Sequence, residues 1–426
     1  MTTIVVLGGG ISGLSAAFEL KDELGDQHEI VLVSDQENFE FTPSNPWVAV
    51  KWRNAEAIRL NLNELMPKHG IRFVCKAVKR VQPENHSLLL EDDGVLPYDY
   101  LVIASGPRLA FDEIPGLGPH DGFTGSICKT EHAVLIAEKF EEFCADPGPI
   151  VIGAAQGASC YGPAYEYAFI IETELRKRKI RDRVPMVYVT PEPYIGHLGL
   201  DGVGDTKSMF ESEMRERHIK WYDNARIDQV EEGLMKITQV NTDGSNRISH
   251  EIEFRHSMIL PAFTGIEAVM GVEGLSNPRG FIIVDDHQRN PAYPDIFAVG
   301  VCVAISPVGP TPLPVGVPKT GYMIESMVTA TVQNIVELLG GKEPTHTATW
   351  NAFCLADMGD RGVAFMALPQ IPPRNTNWSG SGKWVHWAKV GFEKYYLRKI
   401  SQGKVEPYFE KFAMRLLGVQ KLKRPS

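Results

Sequence analysis

Two kinds of residue in this 426-residue chain can do chemistry: glycines spaced to admit a phosphate, and a cysteine placed where such glycines would be expected. Gly8-Gly9-Gly10-Ile11-Ser12-Gly13 has the G-x-G-x-x-G spacing. In that spacing Gly8 allows a tight turn, Gly10 lets backbone approach a pyrophosphate, and Gly13 permits close helix–strand packing. A second segment, Gly153-Ala154-Ala155-Gln156-Gly157-Ala158-Ser159-Cys160, has only G-x-x-x-G and ends on a thiol. Cys160 falls just before a predicted helix, where the dipole favours a thiolate and lowers the thiol pKa. Inert burial is the commoner fate of a free cysteine, so position alone leaves both readings open.

The elements around these residues read as two βαβ units. The first has a β-branched strand over 3–7, the fingerprint, a helical pattern over 14–20, and a second strand over 29–33 that ends at Ser34-Asp35. Asp35 lies close to the distance expected for an acid on a ribose 2′-OH. The second unit has a strand over 148–153, a predicted helix over 161–179 and a strand over 186–190. No Asp or Glu directly ends that last strand, although Glu192 follows soon after. The first unit is therefore expected to hold a dinucleotide such as FAD. The second gives little support for a nicotinamide nucleotide.

Two later stretches are similar to two-dinucleotide-domain flavoproteins. Tyr98 to Pro107, with Ser105 and Gly106, resembles the strand and turn that bring such chains back past the cofactor, and Asp295 to Gly300 resembles the strand on the flavin side. Those flavoproteins place an acid straight after that glycine; here Val301 stands there.

Cys160 with Tyr161-Gly162-Pro163 after it, Cys128 in Ser126-Ile127-Cys128, and Cys354 in Trp350-Asn351-Ala352-Phe353-Cys354 resemble the bacterial sulfide:quinone oxidoreductases. Pro43 to Trp47, Pro193 to His197, Pro318 to Ser326 and Asp357 to Gly362 match as well, so the resemblance spans essentially the whole chain. It implies FAD, hydrogen sulfide and a membrane quinone such as ubiquinone as ligands. It also implies that Cys160 and Cys354 form the redox pair beside the flavin, with Cys128 in sulfide handling or flavin attachment. Hydrosulfide attacks a bridge, the better leaving thiolate departs, and that thiolate, assigned to Cys354, donates to the flavin. Polysulfide or elemental sulfur results. The cofactor set implied is Gly8, Gly9, Gly10, Ser12, Gly13, Ser34, Asp35, Thr42, Ala77, Val78, Ser105, Gly106, Gly300, Val301 and Lys319, with Lys319 balancing charge on the reduced flavin. Phe41, Gly321, Asn351, Phe353, Leu355 and Tyr408 are implied as quinone walls. His132 and His197 are the candidates for proton handling. Cys75, Cys144 and Cys302 match no motif and read as packing residues.

Composition frames these readings. Net charge is −10, but from Lys383 to the last residue eleven Lys and Arg face three Glu, so the rest of the chain carries −18. Tyr408, Phe409, Phe412, Ala413, Leu416 and Leu417 fall on one helical stripe, and Trp384, Trp387, Gly391, Tyr395 and Arg398 mark a preceding helix with aromatics suited to a headgroup boundary. No run reaches the ~18 apolar residues of a spanning helix. The expected organisation is α/β: two Rossmann-like domains, the FAD domain discontinuous (1–112 and 259–340), the second over 113–258, and an amphipathic helical membrane-attachment region over 341–426. No basic n-region or apolar leader precedes the first strand, so the expected place is the cytoplasmic face of the inner membrane, with homo-oligomers possible. Five prolines and two glycines between Ser306 and Pro318 predict an extended connection that delivers Lys319 to a helix over 321–339. No two Cys or His have zinc-finger spacing, so no metal is expected, and an acidic chain without RNA-binding motifs argues against nucleic acid. The rival readings are a type II NADH:quinone reductase and a flavin-carrying, sulfur-binding membrane adaptor that does not turn over.

Overall fold

The computed structural model describes residues 1–245, 247–405 and 420–423. The chain opens with strand β1 (Thr3–Leu7), helix α1 (Ile11–Leu24) and strand β2 (Glu29–Ser34), followed by β3 (Arg72–Cys75) and β4 (Tyr100–Ile103). Helix α2 (Thr130–Ala145) leads to β5 (Ile150–Ala154), α3 (Gly162–Lys177), β6 (Met186–Val189), β7 (Ile219–Tyr222) and β8 (His256–Leu260). Then come β9 (Ile296–Ala298), α4 (Gly321–Leu339), the strands β10 (Ala352–Asp357), β11 (Gly362–Leu368) and β12 (Thr376–Gly382), and helix α5 (Lys383–Ser401).

Two parallel sheets result, in the orders β9-β4-β1-β2-β3 and β7-β6-β5-β8. Their strands are near-continuous apolar runs because helices cover both faces. The return of β9 to the first sheet, after the whole second sheet, makes the first unit discontinuous. All five strands of the first sheet run the same way, so the residues after Leu7, Ser34, Cys75, Ile103 and Ala298 emerge along one edge. Ligands of open parallel sheets bind along such an edge.

The third layer is the antiparallel sheet β10-β11-β12, with α5 packed on it. Helix α5 contains the predicted aromatic stripe, and Trp384 and Trp387 are 52% and 70% exposed. No described helix is long and apolar enough to cross a membrane. Tyr408 and the stripe to Leu417 lie outside the described residues.

His256 shows how burial governs titration in this fold. It stands beside Phe140, Phe143 and Tyr167, whose hydroxyl lies 2.8 Å from its Nε2, and burial lowers its pKa to about 3. The unfolded chain takes up that proton near pH 6.5 and the folded chain only near 3, so the stability His256 contributes is lost as pH falls between them. His256→Gln, which can still bond the Tyr167 hydroxyl, is expected to make the urea midpoint decline less between about pH 7 and 5. Equal slopes for the two proteins would contradict this.

Candidate active site

Along the open edge of the first sheet, the glycines perform as their spacing demands. A Cβ on Gly13 would lie 1.8 Å from Gly8 O, and one on Gly8, at φ +120°, would lie 2.4 Å from Ala104 O. Both positions exclude any side chain. A Cβ on Gly10 would meet nothing, and Gly10 caps α1 with no side-chain hydrogen bond. The first-turn N–H groups of α1, including those of Ser12 and Gly13, are therefore available to an anion. Ser34 Oγ flanks Gly9 and accepts the Gln36 N–H at 3.1 Å, and Asp35 is exposed just beyond. Gly106 faces open space after β4, and Gly300, at φ +82°, fits against Ser12 with the half-buried Val301 next to it. Ala77 and Val78 follow β3, and Thr42 is exposed at the start of a short 3-10 turn. These residues fit a bound dinucleotide.

The second fingerprint is closed by the protein itself. Gly157, at φ +79°, donates its N–H to Pro314 O at 2.8 Å, and Gly316 donates to Ala158 O at 2.9 Å. The extended strap 306–318 thus lies on the turn that leads to Cys160. A Cβ on Gly316 would be 2.7 Å from Ser159 Cβ. Glu192, the acid nearest a ribose position, is turned inward, accepting from Tyr165 Oη (2.8 Å), Thr190 Oγ1 (2.7 Å) and Leu198 N–H (2.6 Å). Burial pushes its carboxyl up to about 7.

Cys128, Cys160 and Cys354 are brought into one electrostatic neighbourhood from three segments: the approach to α2, the turn before α3, and β10. All six cysteines are free, and these three are half-buried. Charge on Cys160 raises the Cys354 pKa, and charge on Cys128 raises that of Cys160. The expected helix-terminus lowering at Cys160 does not prevail. Burial is the largest effect and pushes Cys160 up to about 12, against smaller lowering by the Gly162 N–H and Lys319. Cys128 rises to about 11 and Cys354 far above the ordinary thiol range, for the same reason. Lys319 is pulled down to about 8 by burial, opposed by charge on Cys302 and Cys160. Cys302 is buried, its thiol donating to Ile103 O and Val299 O at 3.3 and 3.2 Å.

Two charged residues missed in the sequence join this neighbourhood. Glu166, one and a half turns beyond Cys160, pairs with Lys389 of α5 and accepts the Asp357 N–H at 2.6 Å. Glu166 raises both Cys160 and Cys354, whereas Lys389 lowers Cys354. An acid among the apolar residues of α3 was the available signal for Glu166; its partner 223 positions away gave none. Gln370 was also missed. It bonds Pro318 O and, at 2.7 Å, Thr320 Oγ1, fixing Lys319 between them.

The remaining candidates are dispersed. His197 is buried with Nδ1 accepting the Gly199 N–H at 3.2 Å, and a Cβ on Gly199 would lie 2.2 Å from Gly316 O, so this turn backs the strap. His132 meets Phe111, His120 and Glu131. Phe353 packs edge-on against Tyr322 at 5.4 Å, next to Gly321, while Leu355 shares its face of β10. Alternation puts Cys354 on the other face. Asn351 donates to Gln420 O at 3.1 Å, and Phe41 is buried under Phe392 and Tyr396.

The pyridine nucleotide-disulphide oxidoreductase family matches residues 2–333. A sulfide-quinone reductase of Aquifex aeolicus is 39% identical over 97% of this chain and 94% of its own. The X-ray structure of the sulfide:quinone oxidoreductase from the same bacterium superposes with a TM-score of 0.94 at 38% identity, covering 99% and 97% of the two chains. NDH2 from Plasmodium falciparum in complex with NADH superposes at 0.71 with 14% identity over 99% and 100%, a likeness of fold alone.

The strap contact yields a direct test. Gly316→Ala overpacks the strap against Ser159, at a cost of about 1–3 kcal/mol. The thermal midpoint is expected to fall and Cys160 to be labelled faster by a thiol reagent, with Cys302 unaffected. Unchanged Cys160 labelling would show that the strap does not cover it.

Proposed function

The chain belongs to the pyridine nucleotide-disulphide oxidoreductase family and, within it, to the sulfide:quinone oxidoreductases, and on that premise we propose that Cys160 and Cys354 relay electrons from sulfide to bound flavin. It is an FAD-dependent enzyme of sulfide:quinone oxidoreduction. The observation that carries the proposed relay is the shared electrostatic field of two thiols 194 positions apart.

Cys160 and Cys354, both free thiols, enter the cycle as a bridge once they have lost two protons and, to quinone, two electrons. Hydrosulfide then attacks the Cys160 sulfur, the new S–S bond leaves a persulfide on Cys160, and the old bond breaks to release the Cys354 thiolate. Burial makes that thiolate a high-energy species, with Lys389 as its compensating charge. Bound FAD supplies a two-electron carrier that a thiolate can load and a quinone can empty. As the pair leaves, Cys354 rejoins the persulfide sulfur, the persulfide loses its proton, and one sulfur has been added to the bridge. Further rounds lengthen the chain, giving polysulfide or elemental sulfur. Quinone takes up two electrons and two protons. Cys128, whose charge acts on Cys160, guides incoming sulfide. Lys319 supplies positive charge where electrons accumulate, and His197 braces the strap that carries it.

We assign quinone to the opposite face of β10, at Phe353, Leu355 and Gly321, so that one strand separates the two half-reactions. Asn351 and Phe41 border that region. Exposed Trp384 and Trp387, one turn apart on α5, are aromatics that suit a headgroup layer, and we place them on the cytoplasmic face of the membrane. A homo-oligomer is compatible with this placement.

Anaerobic mixing tests the relay. Sulfide is expected to bleach the flavin and NADH to leave it oxidised. Cys354→Ala is expected to retain FAD and lose sulfide-driven bleaching by about 10³-fold or more, with Cys128→Ala slower than the parent by a smaller factor. Parental bleaching in Cys354→Ala would remove it from the relay.

A further inference from the structure

Outside the thiol cluster, the bend 118–123 and the first turn of α2 bring two imidazoles and a carboxylate together. His120, Glu131 and His132 each offer one ligand atom, and all these atoms lie within 4.8 Å of one another. His120 and Glu131 are exposed, whereas His132 is 3% exposed. Its Nε2 lies 3.6 Å from Glu131 Oε1, outside hydrogen-bond reach, and its Nδ1 is buried with no partner. A buried imidazole left in this state lacks interactions that such groups nearly always find. Phe111 and His120 pack edge-on against the ring at 5.9 and 5.4 Å and fix its plane.

We propose that His120, Glu131 and His132 form a binding site for a divalent transition metal of the zinc type, which clamps the bend 118–123 to the start of α2. Two nitrogens and one carboxylate oxygen suit such an ion, with water in the fourth position. Metal–ligand bonds of about 2.0–2.2 Å put tetrahedral ligands roughly 3.4 Å apart, so closure requires the two exposed side chains to move inward by about 1 Å. The Glu131 carboxylate, and that of Glu40 nearby, favour a cation there. Lys129, whose Nζ is 3.5 Å from Glu131 Oε1, and the N-terminus of α2 oppose it. Lys129 is exposed and can swing into solvent. The bound ion would stiffen the segment that carries Cys128, four residues before His132.

The test titrates the full-length, flavin-loaded enzyme with Co²⁺ in the absence of sulfide, which would precipitate the probe. One equivalent is expected to bind, with four-coordinate d–d absorption to the red of the flavin bands, no thiolate charge-transfer band, and a rise in thermal midpoint. His120→Ala and Glu131→Gln, both at exposed positions, are each expected to weaken binding by about tenfold or more, since losing even an outer-shell partner commonly does so. Their metal-free flavin content and thermal midpoints should equal the parent's. Absence of saturable Co²⁺ binding by the parent, binding unchanged in both variants, or thiolate bands that vanish in Cys128→Ser would each overturn the proposal.

Discussion

The hydrogen bonds from Gly157 N–H to Pro314 O and from Gly316 N–H to Ala158 O join two parts of the chain that local sequence keeps apart. One part is the turn of a Rossmann unit, whose N–H groups ordinarily receive a pyrophosphate. The other is a proline-rich strap that ends at Lys319. With Pro314 O accepting from Gly157 N–H and Gly316 N–H donating to Ala158 O, the turn holds protein in place of a nucleotide, and Cys160 lies within electrostatic reach of Lys319 and Cys354. Glu192 completes the change by bonding inward to Tyr165, Thr190 and Leu198. Two sheets of one architecture thus diverge: the first keeps its helix terminus open, and the second closes its turn with protein backbone.

Burial then decides the chemistry of the thiols. A helix terminus favours a thiolate, but at Cys160 the loss of water outweighs it and the thiol stays protonated at neutral pH. A pocket of this kind disfavours resting thiolates and favours sulfur–sulfur bonds, which carry no charge. The thiolate set free when such a bond breaks is correspondingly strong as an electron donor. Lys319 and Lys389 offset part of the burial at Cys160 and Cys354, while Glu166 restrains Lys389. Lys389 lies on α5, which also carries the exposed Trp384 and Trp387, so the charge that acts on Cys354 and the proposed membrane face share one helix.

Much of the fold was legible because it depends on local pattern. The apolar run of β1, the glycines before α1 and the helix over 321–339 each follow from short-range periodicity or spacing, and the strap 306–318 is extended because proline forbids much else. The predicted helix over 161–179 is found over Gly162–Lys177. What was not legible depends on distant segments meeting. The Cys160 pKa direction was misjudged because dipole position is local and burial is not. Glu166 and Lys389 have no spacing to reveal them, and Gln370 acts through backbone groups of a strap 50 positions away. His120 and His132 are twelve positions apart, unlike the short spacing of a zinc finger, and only the bend 118–123 brings them together.

The central claim is that Cys160 and Cys354 are the two ends of one sulfur bridge that lengthens as electrons leave. Peptide mapping by mass spectrometry measures this directly, on enzyme denatured near neutral pH in excess alkylating reagent after limited exposure to sulfide and quinone. The account predicts peptides containing Cys160 and Cys354 joined through at least one added sulfur, with Cys75 and Cys144 fully alkylated. Cys354 recovered fully alkylated, with added sulfur bridging Cys160 to Cys128, would contradict it.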